Sequence, residues 1–261
     1  MSLAEKTLAN SYVDLLQMNN SNNGIDSTTR NVKDGEGTGS SLWLGDDATL
    51  VQPQNDDATN TFYVKDSGGT TLFNVNASTS EVSAVGNTLN TQYATFGVAI
   101  ADSSSFTVNM HTAHPFQLGG GNPIYPPLFG TGTDPATTFT TAEGNNTRAS
   151  DLVPCLWRVP DAMSIDAVTS VEGADTATGD TTRMHLFSYS FSSGATSCLT
   201  SGTLLAHNSD VTNAGSEQPY LSTWTVDSAA VTAGKVILAF FRSDSINSDY
   251  AVNITVKYHL T

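Results

Sequence analysis

The side chains able to do chemistry are few, and their spacing decides what they could do. His111-Thr112-Ala113-His114 sets two imidazoles three residues apart, which on a helix would face one metal ion. Pro115 and the strand pattern before the histidines argue against a helix, so no metal site is assigned. Asp46-Asp47 and Asp56-Asp57 carry oxygen ligands, but neither fits the loop that calcium needs, and solvated turns are the better reading. Glycan hydrolysis needs two carboxylates facing each other across a groove. The acids Asp161, Asp166, Glu172, Asp175, Asp180, Asp227 and Asp244 fall mostly at expected strand ends and turns, and no pair stands out. Neither a Gly-x-Ser-x-Gly elbow, a Walker motif nor HExxH occurs. The chain is therefore read as a non-enzyme without cofactor, with a polysaccharide-degrading role as the weakest alternative. For binding, an aromatic ring suits the apolar face of a pyranose. Trp157, Trp224 and Tyr220 are candidates, the two tryptophans fitting better as core or interface residues. Tyr125, between Ile124 and Pro126-Pro127, is expected to be exposed and is the candidate glycan contact.

The composition narrows the partners. The chain has 261 residues, 25 acids against 10 bases, and a formal net charge of −15. Such a field repels nucleic acid and anionic membrane, so phosphate-backbone binding is set aside. No apolar run reaches membrane-spanning length, and no basic segment followed by an apolar one marks a secretory signal. The Asn-X-Ser/Thr triplets at Asn19, Asn76, Asn145 and Asn253 are therefore not read as glycosylation sites. Cys155 and Cys198 lack metal-ligand spacing; a pair of buried free thiols is preferred to a disulfide. Only 13% of residues are charged, while Thr, Ser, Asn and Gly are abundant, which favours strands and turns over helices.

The elements that must carry these residues follow from periodicity. Residues 1–18 are expected to form a helix, with Ser2-Leu3-Ala4-Glu5 as a capping box and Leu8, Tyr12, Leu15 and Leu16 as one apolar stripe. So short a helix must dock on something, and its stripe is the candidate anchor. A polar, glycine-punctuated linker is expected to run to Ser41. Residues 42–90 hold short alternating pieces around the turns Asp66-Ser67-Gly68-Gly69 and Asn76-Ala77-Ser78-Thr79-Ser80. Each supplies two or three inward apolar residues, too few to close a core within one chain. An intertwined shaft of several chains is expected there.

From residue 91 the strands lengthen. Phe96-Val98-Ile100 and Phe106-Val108-Met110 alternate around Asp102-Ser103-Ser104-Ser105, and a long irregular segment covers 111–150. The final stretch alternates at Val252, Ile254, Val256, Tyr258 and Leu260, the pattern of a half-buried strand, and is expected in the middle of a sheet. Val236-Ile237-Leu238-Ala239-Phe240-Phe241 is apolar on both faces and is expected beside it. The fold class expected is mainly β: an antiparallel β-sandwich or jelly roll at 91–261, a β shaft at 42–90 and a short N-terminal helix.

Leu15-Leu16-Gln17-Met18-Asn19-Asn20-Ser21-Asn22-Asn23-Gly24-Ile25-Asp26 with Val32-Lys33-Asp34-Gly35 resembles the start of marine tailed-phage appendage proteins. Phe62-Tyr63-Val64-Lys65-Asp66-Ser67-Gly68-Gly69-Thr70-Thr71-Leu72-Phe73-Asn74-Val75 resembles the shaft repeats of phage fibres. The ending from Ala233-Gly234-Lys235 through Val256-Lys257-Tyr258 is similar to their trimeric C-terminal sandwiches. The resemblance implies a virion structural protein made in the host cytoplasm, a homotrimeric fibre or capsid decoration. It would hold other virion proteins through its N-terminus and expose a head to the host surface and its glycans. A carbohydrate-binding adhesin is the alternative.

Overall fold

A computed structural model describes residues 16–18, 20, 24–55, 60–100, 108–117, 128–131, 149–174, 178–215, 218–245 and 250–261. The fold is mainly β, with antiparallel sheets throughout. Two compact units divide the chain between Leu89 and Asn90.

The first unit contains two four-stranded meanders. One comprises β1 (Gln17–Met18), β2 (Arg30–Lys33), β3 (Gly39–Leu44) and β4 (Thr49–Val51); the other β5 (Phe62–Lys65), β6 (Thr71–Asn76), β7 (Glu81–Ala84) and β8 (Asn87–Thr88). The two are built on one phrase. Val32-Lys33-Asp34-Gly35-Glu36-Gly37-Thr38 and Val64-Lys65-Asp66-Ser67-Gly68-Gly69-Thr70 share V-K-D-x-x-G-T. In each, the Asp carboxylate accepts two backbone N–H groups, from Glu36 (3.0 Å) and Thr38 (2.8 Å) in the first and Gly68 (2.9 Å) and Thr70 (2.8 Å) in the second. The glycine before the threonine turns the chain in the left-handed region, at φ 89° for Gly37 and 88° for Gly69. These turns join β2 to β3 and β5 to β6, so the segment expected as a linker is a hairpin within a sheet. The shaft phrase quoted above is the second copy; sequence reasoning missed the repeat because its first copy stood in the expected linker.

The second unit holds β9 (Thr91–Ile100), β10 (Met110–Ala113), β11 (Leu128–Thr131), helix α1 (Ala149–Leu152) running into a 3-10 turn at Val153–Cys155, and β12 (Trp157–Arg158). It continues with β13 (Met163–Ala174), β14 (Thr181–Phe191), β15 (Leu199–His207), β16 (Val211–Thr212) and β17 (Gln218–Thr223). Last come β18 (Thr225–Val226), β19 (Ala230–Val231), β20 (Val236–Ser243) and β21 (Tyr250–Leu260). One sheet runs β11-β10-β20-β14-β15-β18, with β12 on β20 and β16 on β14; the other runs β17-β13-β21-β9, with β19 on β13. Phe96, Ile165, Val168, Val252, Ile254 and Val256 of the second sheet pack against Met184, Leu186, Ile237, Ala239 and Phe241 of the first. The larger sheet is buried on its other face too, where Phe187, Tyr189, Leu238 and Phe240 meet Phe129, Leu152 and Cys155.

β21 sits between β13 and β9 and alternates in burial, as its pattern predicts. β20 is buried at all eight positions. The two are not neighbours, however; they lie in opposite sheets and meet face to face, Phe241 against Tyr250 at 5.1 Å. A strand apolar on both faces can sit centrally in either sheet, and here its second face is covered by Leu152 of α1, by Cys155 and by Phe129 of the edge strand β11. The hairpin expected from 96–110 is likewise not formed among the described residues: β9 and β10 belong to different sheets, and 101–107, with the expected turn, lie outside them. His111–Ala113 is strand, not loop, because its backbone pairs with β20. The expected N-terminal helix falls mostly outside the described residues, but its last two, Gln17 and Met18, are extended and paired with Lys33 and Val32. The short helix that is described lies mid-chain, at α1.

Candidate interaction surface

The first unit buries almost nothing apolar. Among its described residues only Val32 is a buried hydrophobic side chain, whereas Phe62, Tyr63, Val64, Val85 and Leu89 are exposed, Val85 at 74%. All four residues of β5 are exposed. A four-stranded meander of short strands needs a second layer to be stable.

The five-stranded sheet of the second unit presents an uncharged outer face. Register places Thr223, Thr169, Thr255 and Thr95 in one row across four strands, with Leu221, Val171, Asn253 and Gly97 in the next. β-Branched threonine suits a pleated surface. Leu221 is 77% exposed and Val171 47%. Charge enters this face at one end, with Lys257 opposite Tyr93 and with the His259 Nδ1–Asp166 Oδ1 pair at 2.8 Å.

The polar groups turned inward are structural in placement. His111 faces His185 at 4.8 Å between ring centroids, on the face of the larger sheet turned away from its partner. His114 faces the other way, edge-on to Phe241 at 5.7 Å between the sheets. One metal therefore cannot join His111 and His114, and among the described residues no three His, Cys, Asp or Glu side chains form a metal shell. Burial pushes His114 down to about 3. Burial also holds His185 well below its usual value, reinforced by His111, Arg183, His207 and Arg242. Glu172, buried between the sheets, is pushed up to about 7 by desolvation, against the opposing Thr182 hydroxyl, which lies 2.8 Å from Oε1. Cys155 and Cys198 are free thiols; Cys155 is buried, and its thiol is pushed up to about 12 by burial and by Asp151, while Cys198 is half-buried.

Of the residues singled out in the sequence, Leu8, Tyr12, Leu15 and Tyr125 lie outside the described residues, as do Asp56 and Asp57. Leu16 is described and is 74% exposed. Trp157 and Trp224 are core: Trp157 stacks on Phe116 at 5.5 Å, and the Trp224 indole N–H donates to Ser170 Oγ at 2.9 Å. The Tyr220 hydroxyl is held locally, accepting from the Ala214 N–H and donating to Gln218 Oε1. Asp46 and Asp47 lie in the turn from β3 to β4, where the Asp46 carboxylate accepts the Asp47 N–H. Sequence reasoning missed the threonine row, because its four members come from strands far apart in the chain and only register aligns them.

No family model matches this chain, and no curated protein matches it. Among solved structures, the Eiger TNF of S. frugiperda is similar at a TM-score of 0.29 and 9% identity, over 66% of this chain and 94% of that one. A likeness of that size informs neither fold nor function.

Proposed function

We propose that this chain is a structural protein of a tailed-phage virion, a homotrimeric fibre or capsid decoration. Its N-terminus binds other virion proteins and its β-sandwich projects outward, where it can touch the host surface. The observation that carries the proposal is the near absence of an apolar core among the described residues of the first unit, where Val32 stands alone as a buried hydrophobic residue. Repeated meanders with exposed Phe62, Tyr63 and Val64 are what an intertwined shaft requires, each chain covering faces that the others leave open. The uncharged outer face of the second unit supports the same reading, as a self-complementary surface for sister chains. The task is mechanical: burial between chains yields a rigid, protease-resistant projection.

Light scattering on the full chain and on residues 90–261, which contain both large clusters of the sandwich, tests the proposal. Both are expected to be trimers. Leu221→Asp, which puts a charge on the edge strand of an uncharged face, is expected to dissociate the fragment while its circular dichroism stays that of a folded β protein. A full chain that is a stable monomer overturns the reading.

A further inference from the structure

The two meanders share a turn but not their surfaces. Where the second has Tyr63, Thr71, Leu72 and Val75, the first has Asn31, Gly39, Ser40 and Trp43 at the equivalent positions of the repeat. Those four, with Lys33, Gln52, Pro53 and Gln54, line a cleft of about 450 Å³. That volume lies within the range of about 300–1,000 Å³ usual for small-ligand sites.

The walls are held in place. Asn31 is only 7% exposed, and its amide donates to the Ser40 carbonyl at 2.6 Å. Gln54 reaches across to the Gly39 carbonyl at 3.1 Å, and the Gln52 N–H pairs with the Ser41 carbonyl at 2.8 Å. Gly39 is required by close approach: a Cβ there would lie 2.5 Å from Asn31 Oδ1, so any other residue displaces the amide. The Trp43 indole N–H is buried with no hydrogen-bond partner among the described residues, which leaves the ring fixed by packing alone.

From this we infer that the cleft is a saccharide-binding site, with an acidic pyranose of the uronic type as its preferred ligand. Trp43 supplies an apolar ring for the C–H face of the sugar, and the carboxamides of Gln52 and Gln54 with the Asn31 side-chain oxygen supply donors and acceptors for its hydroxyls, while Ser40 Oγ is held by the Val32 carbonyl at 2.7 Å. Lys33 is a single cation, enough for one carboxylate; a phosphate or polyanion would call for a cluster of them. The site is separate from the trimer proposal: a trimer that binds no sugar, or a monomer that binds it, tells the two apart.

Tryptophan fluorescence of the full chain tests the inference, because Trp157 and Trp224 are buried and Trp43 alone lines the cleft. D-Glucuronic acid and D-glucose, as methyl glycosides, are titrated with acrylamide quenching as the readout. A saturable protection from quenching is expected, tighter for the acid. Lys33→Gln is expected to remove the preference between the two sugars, and Gly39→Ala to weaken both about tenfold, the equivalent of one lost polar contact. Saturation-transfer NMR reads Trp43→Ala, for which the expected result is loss of transfer to the sugar ring protons. If Trp43→Ala fails to fold, the Lys33 and Gly39 variants carry the test. Unsaturable quenching with both sugars, or equal binding by Gly39→Ala and the parent, overturns the inference.

Discussion

Acidified from pH 7 to pH 3, the C-terminal unit is expected to lose stability in two stages, the second the steeper. His114 is neutral in the fold down to about 3, while its unfolded counterpart takes a proton near 6.5. Its contribution is therefore present above 6.5 and is lost as pH falls towards 3, at about 1.4 kcal/mol per pH unit. Glu172 has the opposite sign. Raised to about 7 against 4.5 unfolded, it contributes stability that is complete below 4.5 and lost as pH rises through 7. Between 6.5 and 4.5 the two offset each other, and the loss in that window is what His185 adds, in the same direction as His114. Below 4.5 the offset ends and the full slope of both histidines appears.

Urea unfolding followed between pH 8 and pH 3 measures this curve. His114→Leu removes two ring nitrogens that are buried without partners among the described residues, so it is expected to raise stability at pH 7 by about 1–3 kcal/mol. It should also take one proton's slope from the acid limb. Glu172→Gln keeps an acceptor for the Thr182 hydroxyl and cannot ionise. It should therefore be more stable than the parent at pH 8, by about 3 kcal/mol, and begin losing stability already below 6.5. A stability that stays flat in the parent from 6.5 to 3 would contradict the buried, neutral state of both histidines.

How much of this was legible varies with the kind of signal. The alternation at Val252, Ile254, Val256 and Tyr258 is local and carried the half-burial of β21, whereas its expected central place is realised by pairing with β13 and β9, which alternation does not record. The two-faced burial of β20 was equally plain from Val236 to Phe241. Its partner was not: a strand apolar on both faces carries no record of which sheet it joins, and that choice rests on pairing with β14 and β10. The histidines show the same limit. Pro115 and the strand pattern before them argued against a helical metal site, but only register puts His111 on one face of the sheet and His114 on the other. The turn phrase V-K-D-x-x-G-T stands in both copies but was missed, its first copy being read as linker, and the cleft beside it needed Gln52, Pro53 and Gln54 folded back against Gly39. The threonine row needed four strands in register.

The pairing of β20 leads to a second large effect. Phe240 and Phe241 are adjacent in the chain, yet Phe241 packs with Tyr250 and His114 between the sheets while Phe240 packs with Phe129 at 4.7 Å and Phe187 at 6.1 Å on the far side. Each is fully buried, so truncation to Ala is expected to cost about 3–5 kcal/mol, enough by itself to bring a domain of ordinary stability close to unfolding. The milder pair Phe240→Leu and Phe241→Leu keeps the protein folded and allows a double-mutant cycle. Neighbouring residues usually couple, because they share packing partners. Here the backbone of the sheet stands between two separate clusters, and the losses are expected to add to within about 0.5 kcal/mol. A coupling energy above about 1 kcal/mol would mean that both faces relax as one core. The cluster that Phe129, Leu152 and Cys155 complete would then be part of the sandwich interior, not a second core.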